Sequence, residues 1–359
     1  MEIMELKEIL NSYKEKKVLI TGHTGFKGSW LSYWLKEIGA EVFGYSLKPV
    51  KKLNHFDLLK MELKSCYNNI CDLTSLKEFI NKTNPEIIFH LAAQPLVRQS
   101  YINPIETYNT NVIGTANLLE AVRGNPSVKA VIVITTDKCY KNLNQTHGYV
   151  ESDTLGGYDP YSSSKASVEL LVSSFRDSFF NLSEYGINHQ VLISTARAGN
   201  IIGGGDWSDD RLIPDLVKNA KNGGTTKIRY PGATRPWQHV LDPLSGYLML
   251  GEKLLNGETK YTGAWNFGPE EYDILSVHEL VLQCKKIWSN INFEIQNDQN
   301  ELHEANLLSL NINKAKHFLN WKPKWNSTIT IKKTMKWYET FYNSKIVLTN
   351  SQLKEYIKG

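Results

Sequence analysis

The sequence predicts an α/β protein with a doubly wound parallel sheet and a smaller mixed C-terminal lobe. Two observations support this fold class. Through the first two hundred residues, short apolar runs rich in β-branched side chains alternate with amphipathic segments of helical length, a pattern typical of parallel strands covered on both faces. Beyond Gly199 the apolar segments shorten and glycine and proline become frequent, which indicates a loop-rich second lobe.

The predicted elements follow one another as strand and helix. Residues 17–21 form a β-branched strand that leads into a glycine-rich turn at 22–28 and then into a helix ending near Ile38. Later strands are predicted at 41–45, 86–90, 128–135 and 190–198, and later helices at 74–82, 104–123 and 160–180. We therefore predict a first domain over residues 1–198 and a second lobe over residues 199–359, with some segments of the lobe returning to the main sheet.

Composition excludes several classes of protein. The chain has 359 residues, 41% of them hydrophobic and 22% charged, which is ordinary for a globular protein. The net charge is only +4 and the basic residues are scattered, so neither nucleic acid nor a membrane surface is an expected partner. No apolar run reaches the roughly 18 residues that span a membrane, and the first sixteen residues are charged and helix-like, which predicts a cytoplasmic location. The cysteines lack the spacing of a metal site, so no metal is expected and all four are predicted to be buried thiols: Cys66, Cys71, Cys139 and Cys284.

Glycines at positions 22, 25 and 28 lie where the first strand meets the first helix. In this context they are typical of a Rossmann-type dinucleotide site, because glycine permits the tight turn and lets backbone N–H groups approach a pyrophosphate. An acidic residue that would bind the adenosine ribose is expected about 20 residues later. Instead the second strand ends in the residues 45–48, Tyr-Ser-Leu-Lys. The residues alone therefore leave NAD and NADP open.

Tyr161 and Lys165 give the clearest catalytic signal. They lie four residues apart and so share one helix face, and they follow a buried strand that ends in Thr136, Asp137 and Lys138. The carboxyl ends of parallel strands are where such folds bind ligands. We expect the Lys165 ammonium to favour the phenolate and make Tyr161 a base near neutral pH. Asp137 and Lys138 form a second acid/base pair, which is more than a simple dehydrogenase needs.

Other segments extend the predicted cofactor site. Asp72 follows a short strand, where its carboxylate could accept a hydrogen bond from an adenine amino group or could cap the helix that begins near Thr74. The small residues at 91–93 would let a cofactor lie against the backbone, or would simply allow close packing. The expected cofactor-binding residues are Gly22, Thr24, Gly25, Phe26, Gly28, Ser46, Asp72, Leu73, Leu91, Ala92, Ala93, Tyr161 and Lys165.

At these residues the chain resembles the extended short-chain dehydrogenase/reductase family, and within it the CDP-glucose branch of the nucleotide-sugar 4,6-dehydratases. The resemblance extends from about residue 17 to residue 337. Its most specific stretches are 22–28, 92–98, 136–140, 157–161, 197–200, 203–207, 211–214 and 235–239. The related dehydratases for dTDP-glucose and GDP-mannose carry a glutamate at the position of Lys138, so this departure points to the CDP branch.

The resemblance implies a lyase that converts CDP-D-glucose to CDP-4-keto-6-deoxy-D-glucose. The sugar would be oxidised at carbon 4, lose water across carbons 5 and 6, and receive the hydride back at carbon 6. Tyr161 would take the carbon-4 hydroxyl proton, Thr136 would hold the carbon-4 oxygen, and Asp137 would protonate the departing hydroxyl. Lys138 is either the carbon-5 base or a charged group that stabilises the enolate. The implied cofactor is NAD, since a cofactor returned unchanged gains little from distinguishing two cellular pools.

The resemblance also implies a substrate site and a dimer. The expected substrate-binding residues are Gln94, Arg98, Asn200, Arg211, Arg235 and His239, with Trp207 beside them, although any single arginine could instead form a surface ion pair. The helices at 104–123 and 160–180 resemble a pair that forms a four-helix bundle in homodimers, but they could equally cover the sheet of a monomer. The product would serve deoxysugar and polysaccharide biosynthesis.

Three other functions are compatible with the same fold. A nucleotide-sugar 4-epimerase would share the cofactor and Tyr161, but it has no need of Asp137 and Lys138. A 4,6-dehydratase for another nucleotide hexose stays open, because no residue identifies cytosine. A non-catalytic nucleotide sensor is disfavoured by the intact set of catalytic side chains.

Overall fold

A seven-stranded, fully parallel sheet forms the centre of the computed structural model, which describes residues 9, 11–145, 147–296 and 308–358. The strand order is β11-β6-β5-β4-β1-β2-β3. The strands in chain order are β1 (Lys17–Thr21), β2 (Glu41–Ser46), β3 (Lys64–Tyr67), β4 (Ile87–His90), β5 (Ala130–Ile134), β6 (Leu192–Ala198), β7 (Ile201–Ile202), β8 (Thr225–Ile228), β9 (Thr234–Arg235), β10 (Gln238–His239), β11 (Gly263–Phe267), β12 (Leu275–Ser276) and β13 (Asn292–Ile295). The doubly wound parallel fold predicted from the sequence is confirmed.

Helices cover both faces of this sheet. They are α1 (Phe26–Glu37), α2 (His55–Leu58), α3 (Leu73–Thr83), α4 (Val97–Ile102), α5 (Pro104–Tyr108), α6 (Gly114–Val122), α7 (Pro160–Phe179), α8 (Leu212–Asn222), α9 (Leu241–Leu255), α10 (Val277–Ile287), α11 (Asn313–Leu319), α12 (Ser327–Ser344) and α13 (Thr349–Lys358). One buried cluster joins α1 and α9 to the sheet, and a second joins α3, α6 and α7 to its other face. Burial on both faces explains why the strands are continuously apolar rather than alternating.

The order of the strands determines where a ligand can bind. The chain runs from β1 to β2 and β3 in one direction, then returns to β4 on the opposite side of β1. The helices that follow β1 and β4 therefore leave the sheet on opposite faces, and a crevice opens between the carboxyl ends of these two strands. The glycine-rich turn after β1 and the turn after β5 both border this crevice.

The long helix predicted at 104–123 is interrupted in the structure. Residues Asn109–Ile113 form a π-helical turn between α5 and α6. Inside that turn the Asn111 side chain accepts a hydrogen bond from the Gln94 backbone N–H at 2.8 Å and donates to Ser164 Oγ at 2.8 Å. A π turn inserts one extra residue, which directs Asn111 inwards while both flanking helices keep their apolar faces on the sheet. Amphipathic periodicity cannot reveal such an insertion.

The second half of the chain is irregular but tied to the first. Strand β11 from this half pairs in parallel with β6 and forms the edge of the main sheet. The other strands form two-stranded ladders, β7 with β10, β8 with β13, and β9 with β12. Because β11 lies in the main sheet, the second lobe is not a separate unit by chain order, and the boundary at residue 198 stays a prediction.

The four cysteines are not all buried as expected. Cys139 and Cys284 are buried, but Cys66 and Cys71 are only half-buried, because they lie near the edge strand β3 and the cavity rather than in the core. Among the described residues, no helix has the length and apolar character needed to cross a membrane. Most of the first ten residues lie outside the part of the chain that the structure describes, so the helix predicted there is only partly covered.

Candidate active site

A cavity of about 1560 Å³ opens along the carboxyl ends of the central strands. Its walls come from the turn after β1, the ends of β4 and β5, the start of α7, and the segments 198–215 and 226–237 of the second lobe. A site for one small molecule usually measures about 300 to 1,000 Å³. This cavity therefore has room for two ligands side by side, a cofactor and a substrate.

The glycine turn at one end of the cavity has no space for side chains. Gly22 has φ +75°, and a Cβ there would lie 2.7 Å from the Ala92 nitrogen. A Cβ on Gly28 would lie 2.1 Å from the Gly22 oxygen. Gly25 precedes α1 with no side chain capping the helix, so the first N–H groups of α1 are open to the cavity. This arrangement fits the pyrophosphate of a dinucleotide, which accepts hydrogen bonds at a helix N-terminus.

Hydroxyl groups, rather than an acid, occupy the end of β2. Thr24 Oγ1 lies 2.8 Å from Ser46 Oγ and donates to the Leu47 carbonyl at 3.0 Å. Asp72 lies further along and caps α3, accepting from the Ser75 N–H at 3.0 Å and from Asn68 at 2.9 Å. The capping alternative for Asp72 is thus realised, and the backbone hydrogen bond from Ser75 lowers the pKa of its carboxyl.

The structure brings most of the predicted cofactor residues to one cavity wall. The lining includes Gly22, Thr24, Gly25, Phe26, Gly28, Ser46, Leu91, Ala92, Ala93 and Tyr161. Asp72 and Leu73 are set back from this wall: Asp72 is turned towards the start of α3, and Leu73 packs against the second hydrophobic cluster. Their neighbours 68–71 line the cavity instead.

Tyr161 lies at the start of α7, where the chain is held firmly. Asp159 caps this helix by accepting from the Ser162 N–H at 2.9 Å, and the Tyr161 N–H donates to Ser100 Oγ at 3.1 Å. Burial raises the pKa of the Tyr161 phenol to about 12, although a hydrogen bond with Thr136 acts in the opposite direction. Burial therefore opposes the expected role as a base near neutral pH, which stays a prediction, because a buried phenolate loses the solvation that water would give it.

Lys165 lies one turn further along α7, and its side chain reaches the end of β5. Its Nζ donates to the Ile134 carbonyl at 3.0 Å. Burial lowers the pKa of the Lys165 ammonium to about 8, against the favourable effect of the Glu169 carboxylate. The ammonium lies behind Tyr161 rather than on the cavity wall.

Thr136, Asp137 and Lys138 form a tight turn after β5. Thr136 caps the turn and donates to Asp137 Oδ1 at 2.9 Å. Lys138 Nζ donates to the same oxygen at 3.3 Å and to Asn200 Oδ1 at 3.4 Å. Asp137 Oδ2 is buried without a hydrogen-bond partner beside Gly199, while the Lys138 side chain is 31% exposed and lines the cavity. A carboxyl group and an amine therefore lie together next to the phenol.

Four of the predicted substrate residues line the cavity: Arg98, Asn200, Arg211 and Arg235. Arg211 precedes α8, donates to the Pro95 carbonyl at 3.4 Å and lies 3.8 Å from the Asp206 carboxylate. Side chains of this kind can bind a diphosphate.

The remaining substrate candidates belong to the protein framework. Gln94 donates to the Leu96 carbonyl and to Thr107, so its amide stabilises the loop after β4. His239 is fully buried, with its ring centroid 4.7 Å from that of Trp325, and Trp207 packs against Trp337. None of these three side chains is among the residues that line the cavity, so the structure gives no support to the expectation that they contact substrate.

Sequence reasoning missed Lys27, Arg229 and Tyr230, which also line the cavity. Lys27 points between α1 and α9, with Nζ 6.0 Å from the centre of the Tyr247 ring. Burial and the charges of Lys165 and Arg211 lower the pKa of the Lys27 ammonium to about 7. The position of Lys27 between Gly25 and Gly28 could have indicated from the sequence that it lies at the dinucleotide site. No local sequence feature distinguishes Arg229 from an arginine on the surface.

Comparisons with known proteins agree with this geometry. The sequence matches the family model described as GDP-mannose 4,6-dehydratase over residues 19–334. A CDP-glucose 4,6-dehydratase from Salmonella typhimurium is 43% identical over 353 residues, covering 97% of this chain and 98% of the relative.

Solved structures share the fold. An epimerase from Methanothermobacter thermautotrophicus has a TM-score of 0.80 at 22% identity, covering 98% of this chain and 99% of the other. A dTDP-glucose 4,6-dehydratase from Bacillus anthracis, solved in complex with NAD, has a TM-score of 0.74 at 24% identity, covering 92% and 98%.

Proposed function

This chain belongs to the GDP-mannose 4,6-dehydratase family, and from that premise we propose that it converts CDP-D-glucose to CDP-4-keto-6-deoxy-D-glucose. The extensive identity to a CDP-glucose 4,6-dehydratase supports the substrate. The observation that carries the reaction type is the contact of 3.3 Å between Lys138 Nζ and Asp137 Oδ1 in the turn beside Tyr161. Oxidation at carbon 4 alone needs only the phenol, whereas loss of water needs a further acid and base.

NAD is the proposed cofactor. The open start of α1 and the glycines that admit no side chain fit its pyrophosphate. Bound NAD supplies a hydride acceptor for the first step and a hydride donor for the last, so the overall reaction is redox-neutral. Thr24 and Ser46 at the end of β2 supply hydroxyl groups for the adenosine ribose.

In the first step Tyr161 accepts the proton of the carbon-4 hydroxyl while the carbon-4 hydrogen leaves as hydride. Thr136, whose hydroxyl is a hydrogen-bond partner of Tyr161, holds the carbon-4 oxygen. The charge of Lys165, at the end of β5, stabilises the phenolate. The product of this step is a 4-ketone.

The ketone acidifies the hydrogen on carbon 5, so a base can remove it as a proton and form an enolate. Asp137 protonates the carbon-6 hydroxyl, which leaves as water and produces an enone. The returning hydride adds to carbon 6, and carbon 5 takes a proton. One water is lost and no electrons are gained, which balances the conversion.

Lys138 is the proposed carbon-5 base. Its Nζ donates hydrogen bonds to the Asp137 carboxylate and to the Asn200 amide oxygen. These two bonds hold the amine beside the turn. Acting as a base requires the neutral amine. The alternative role is a protonated Lys138 that stabilises the enolate.

Product analysis tests the function directly. Purified protein is incubated with NAD and CDP-, dTDP-, GDP- or UDP-glucose, and the alkali-induced absorbance of a 4-keto-6-deoxy sugar is followed. We expect product with CDP-glucose and little with the others, and none for the Tyr161→Phe control. Formation of a 4-epimer without this absorbance would favour an epimerase, and binding without turnover across the panel would favour a nucleotide sensor.

We also propose a homodimer through the helical stretch that comprises α5 and α6 together with α7, with the short helix α4 packed beside them. Large apolar side chains are exposed there, including Ile102 at 71%, Ile105 at 72% and Leu170 at 62%. Apolar groups concentrated on adjoining helices are typical of a protein interface, since a monomer gains no free energy from exposing them. A second copy of the same surface would cover them in a four-helix bundle.

A further inference from the structure

A buried ion pair lies directly behind the catalytic turn. Glu169 Oε2 and Arg197 NH2 are 2.8 Å apart, and each side chain is 3% exposed. Glu169 lies one helical turn after Lys165 on α7, and Arg197 is on β6. Each charge favours the other: the Arg197 guanidinium lowers the pKa of the Glu169 carboxyl, despite burial, and the Glu169 carboxylate raises that of Arg197.

The two partners of this pair hold opposite ends of the catalytic turn. Thr135, immediately before the turn, donates its hydroxyl hydrogen bond to Glu169 Oε1. Tyr140, immediately after the turn, has its hydroxyl 2.7 Å from Arg197 NH1, and the guanidinium lies 4.9 Å from the centre of its ring. The residues between these two attachments are Thr136, Asp137, Lys138 and Cys139.

Stability alone does not explain such a pair. Replacing a buried ion pair by packed apolar side chains is often neutral or stabilising, because removing both charges from water is costly. The hydrogen bonds of this pair do, however, fix the orientation of the turn relative to α7. They connect the turn on β5 with α7, the helix that carries Tyr161 and Lys165, through one carboxylate.

We propose that Glu169 and Arg197 are positioning residues that hold Asp137 and Lys138 in register with Tyr161, so that dehydration follows oxidation on the same sugar. This inference rests on the proposed dehydratase function. Neither residue contacts a reacting atom. Oxidation at carbon 4 uses α7 and, from the turn, only Thr136 at its start. Loss of water uses Asp137 and Lys138, so a loosened turn slows the second stage more than the first.

Removing either charge alone would leave the other buried and unpaired and could unfold the protein. Uncharged substitutions at the attachments avoid this problem. Tyr140→Phe keeps the ring but removes the hydroxyl that accepts from Arg197 and donates to Asn266 Oδ1, and Thr135→Val removes the hydroxyl bound to Glu169. Thr195→Val is the matched control, since Thr195 donates to the same Glu169 carboxylate at 2.7 Å but lies on β6, away from the turn.

The measurement is the near-ultraviolet absorbance of the reduced cofactor during steady-state turnover of CDP-glucose, together with kcat and KM. For Tyr140→Phe and Thr135→Val we expect kcat to fall about 10-fold or more, as misplacement of catalytic groups does. The KM should stay within about twofold, and the reduced fraction should rise several-fold as oxidised sugar waits for dehydration. Thr195→Val should keep the wild-type reduced fraction.

An equal rise in Thr195→Val, or a loss of thermal stability in the turn variants with no rise in reduced cofactor, would overturn the positioning role. If Thr135→Val fails to fold, Tyr140→Phe still decides the question, because it tests the other attachment. Absence of 4-keto-6-deoxy product from the wild type would instead contradict the proposed function, so the two failures are distinguishable.

Discussion

At Tyr161 burial opposes the role that its position suggests. Burial raises the pKa of the phenol to about 12, and the Lys165 ammonium donates to the Ile134 carbonyl. Proton transfer to Tyr161 needs a lower pKa, which positive charge near the phenol would supply. Oxidised nicotinamide carries a positive charge, and an opposite charge close to a phenolate favours it.

Titration of Tyr161 tests this account. Because its pKa is raised to about 12, the phenol stays protonated until strongly alkaline pH, and the tyrosinate absorbance of wild type and Tyr161→Phe should be the same below about pH 10. Adding NAD should produce a difference between them at lower pH. A Tyr161-dependent transition near neutral pH in the ligand-free protein would contradict the role of burial.

Lys138→Met tests the carbon-5 base. Methionine retains most of the side-chain volume but removes the amine. In deuterium oxide we expect the wild type to incorporate solvent deuterium at carbon 5, and the variant to lose this exchange with product formation about 100-fold slower or more. Nuclear magnetic resonance of the sugar gives the answer, and exchange at the wild-type rate in the variant would exclude Lys138 as the base.

Sequence reasoning worked best at residues whose position follows from strand ends. Tyr161 and Lys138 line one cavity, with Asp137 buried beside Lys138, because the carboxyl ends of parallel strands share an edge. It did not place His239 and Gln94, which lie off the cavity wall because His239 packs against Trp325 and Gln94 bonds to the loop after β4. Polar side chains near a motif are equally common in the core and on a cavity wall, and only tertiary structure separates the two.

Among the elements, the junction of β1 and α1 has the least tolerance for change. An alanine at position 28 would bring its Cβ within 2.1 Å of the Gly22 oxygen, so the turn would have to open. We expect Gly28→Ala to weaken NAD binding by about 10-fold or more, as a strained contact of about 1 to 3 kcal/mol does. Calorimetric titration measures it. Gly232→Ala, where a Cβ meets nothing within 4 Å, is the control and should bind as wild type.

The C-terminal helix α13 is attached to α9 through a buried acid. Tyr356 donates to Asp242 Oδ1 at 2.9 Å, and burial raises the pKa of the Asp242 carboxyl to about 7. A folded-state pKa above the unfolded value of 3.8 contributes stability at low pH that is lost as the pH rises towards 7.

Asp242→Asn removes this titration while keeping an oxygen acceptor. The free energy of unfolding of the variant, relative to wild type, should therefore rise between about pH 4 and pH 7, by an amount on the order of 1 kcal/mol or more. Thermal unfolding at pH 5 and pH 8 compares the two proteins. A difference that is the same at both pH values would show that Asp242 is already ionised in the folded state.

Over the whole molecule, the alternation of strands and helices predicted five of the seven strands of the main sheet, with boundaries within two residues of those observed, but gave no bounds for β3 or β11. The second lobe was less predictable. Its strands β7, β9, β10 and β12 are two residues long and pair with distant segments, so no local pattern marks them. The same limit applied to Arg229, which reaches the cavity only through the folding of this lobe.

The dimer surface yields a prediction about assembly. Replacing Ile102 and Ile105 together by glutamate places charges where two copies would bury apolar side chains, so we expect light scattering after size-exclusion chromatography to report a monomer. Val50→Glu, at an exposed valine in the loop between β2 and α2, should stay dimeric. A wild-type monomer would refute the dimer without affecting the reaction.

The central claim is that one cleft oxidises carbon 4 and returns the same hydrogen to carbon 6. CDP-glucose carrying deuterium at carbon 4 tests it most directly, with the position of the label in the product read by nuclear magnetic resonance. We predict that the label appears at carbon 6 of a 4-keto-6-deoxy sugar, with no net reduction of NAD. Label retained at carbon 4, in a sugar that keeps its carbon-6 hydroxyl, would contradict the account.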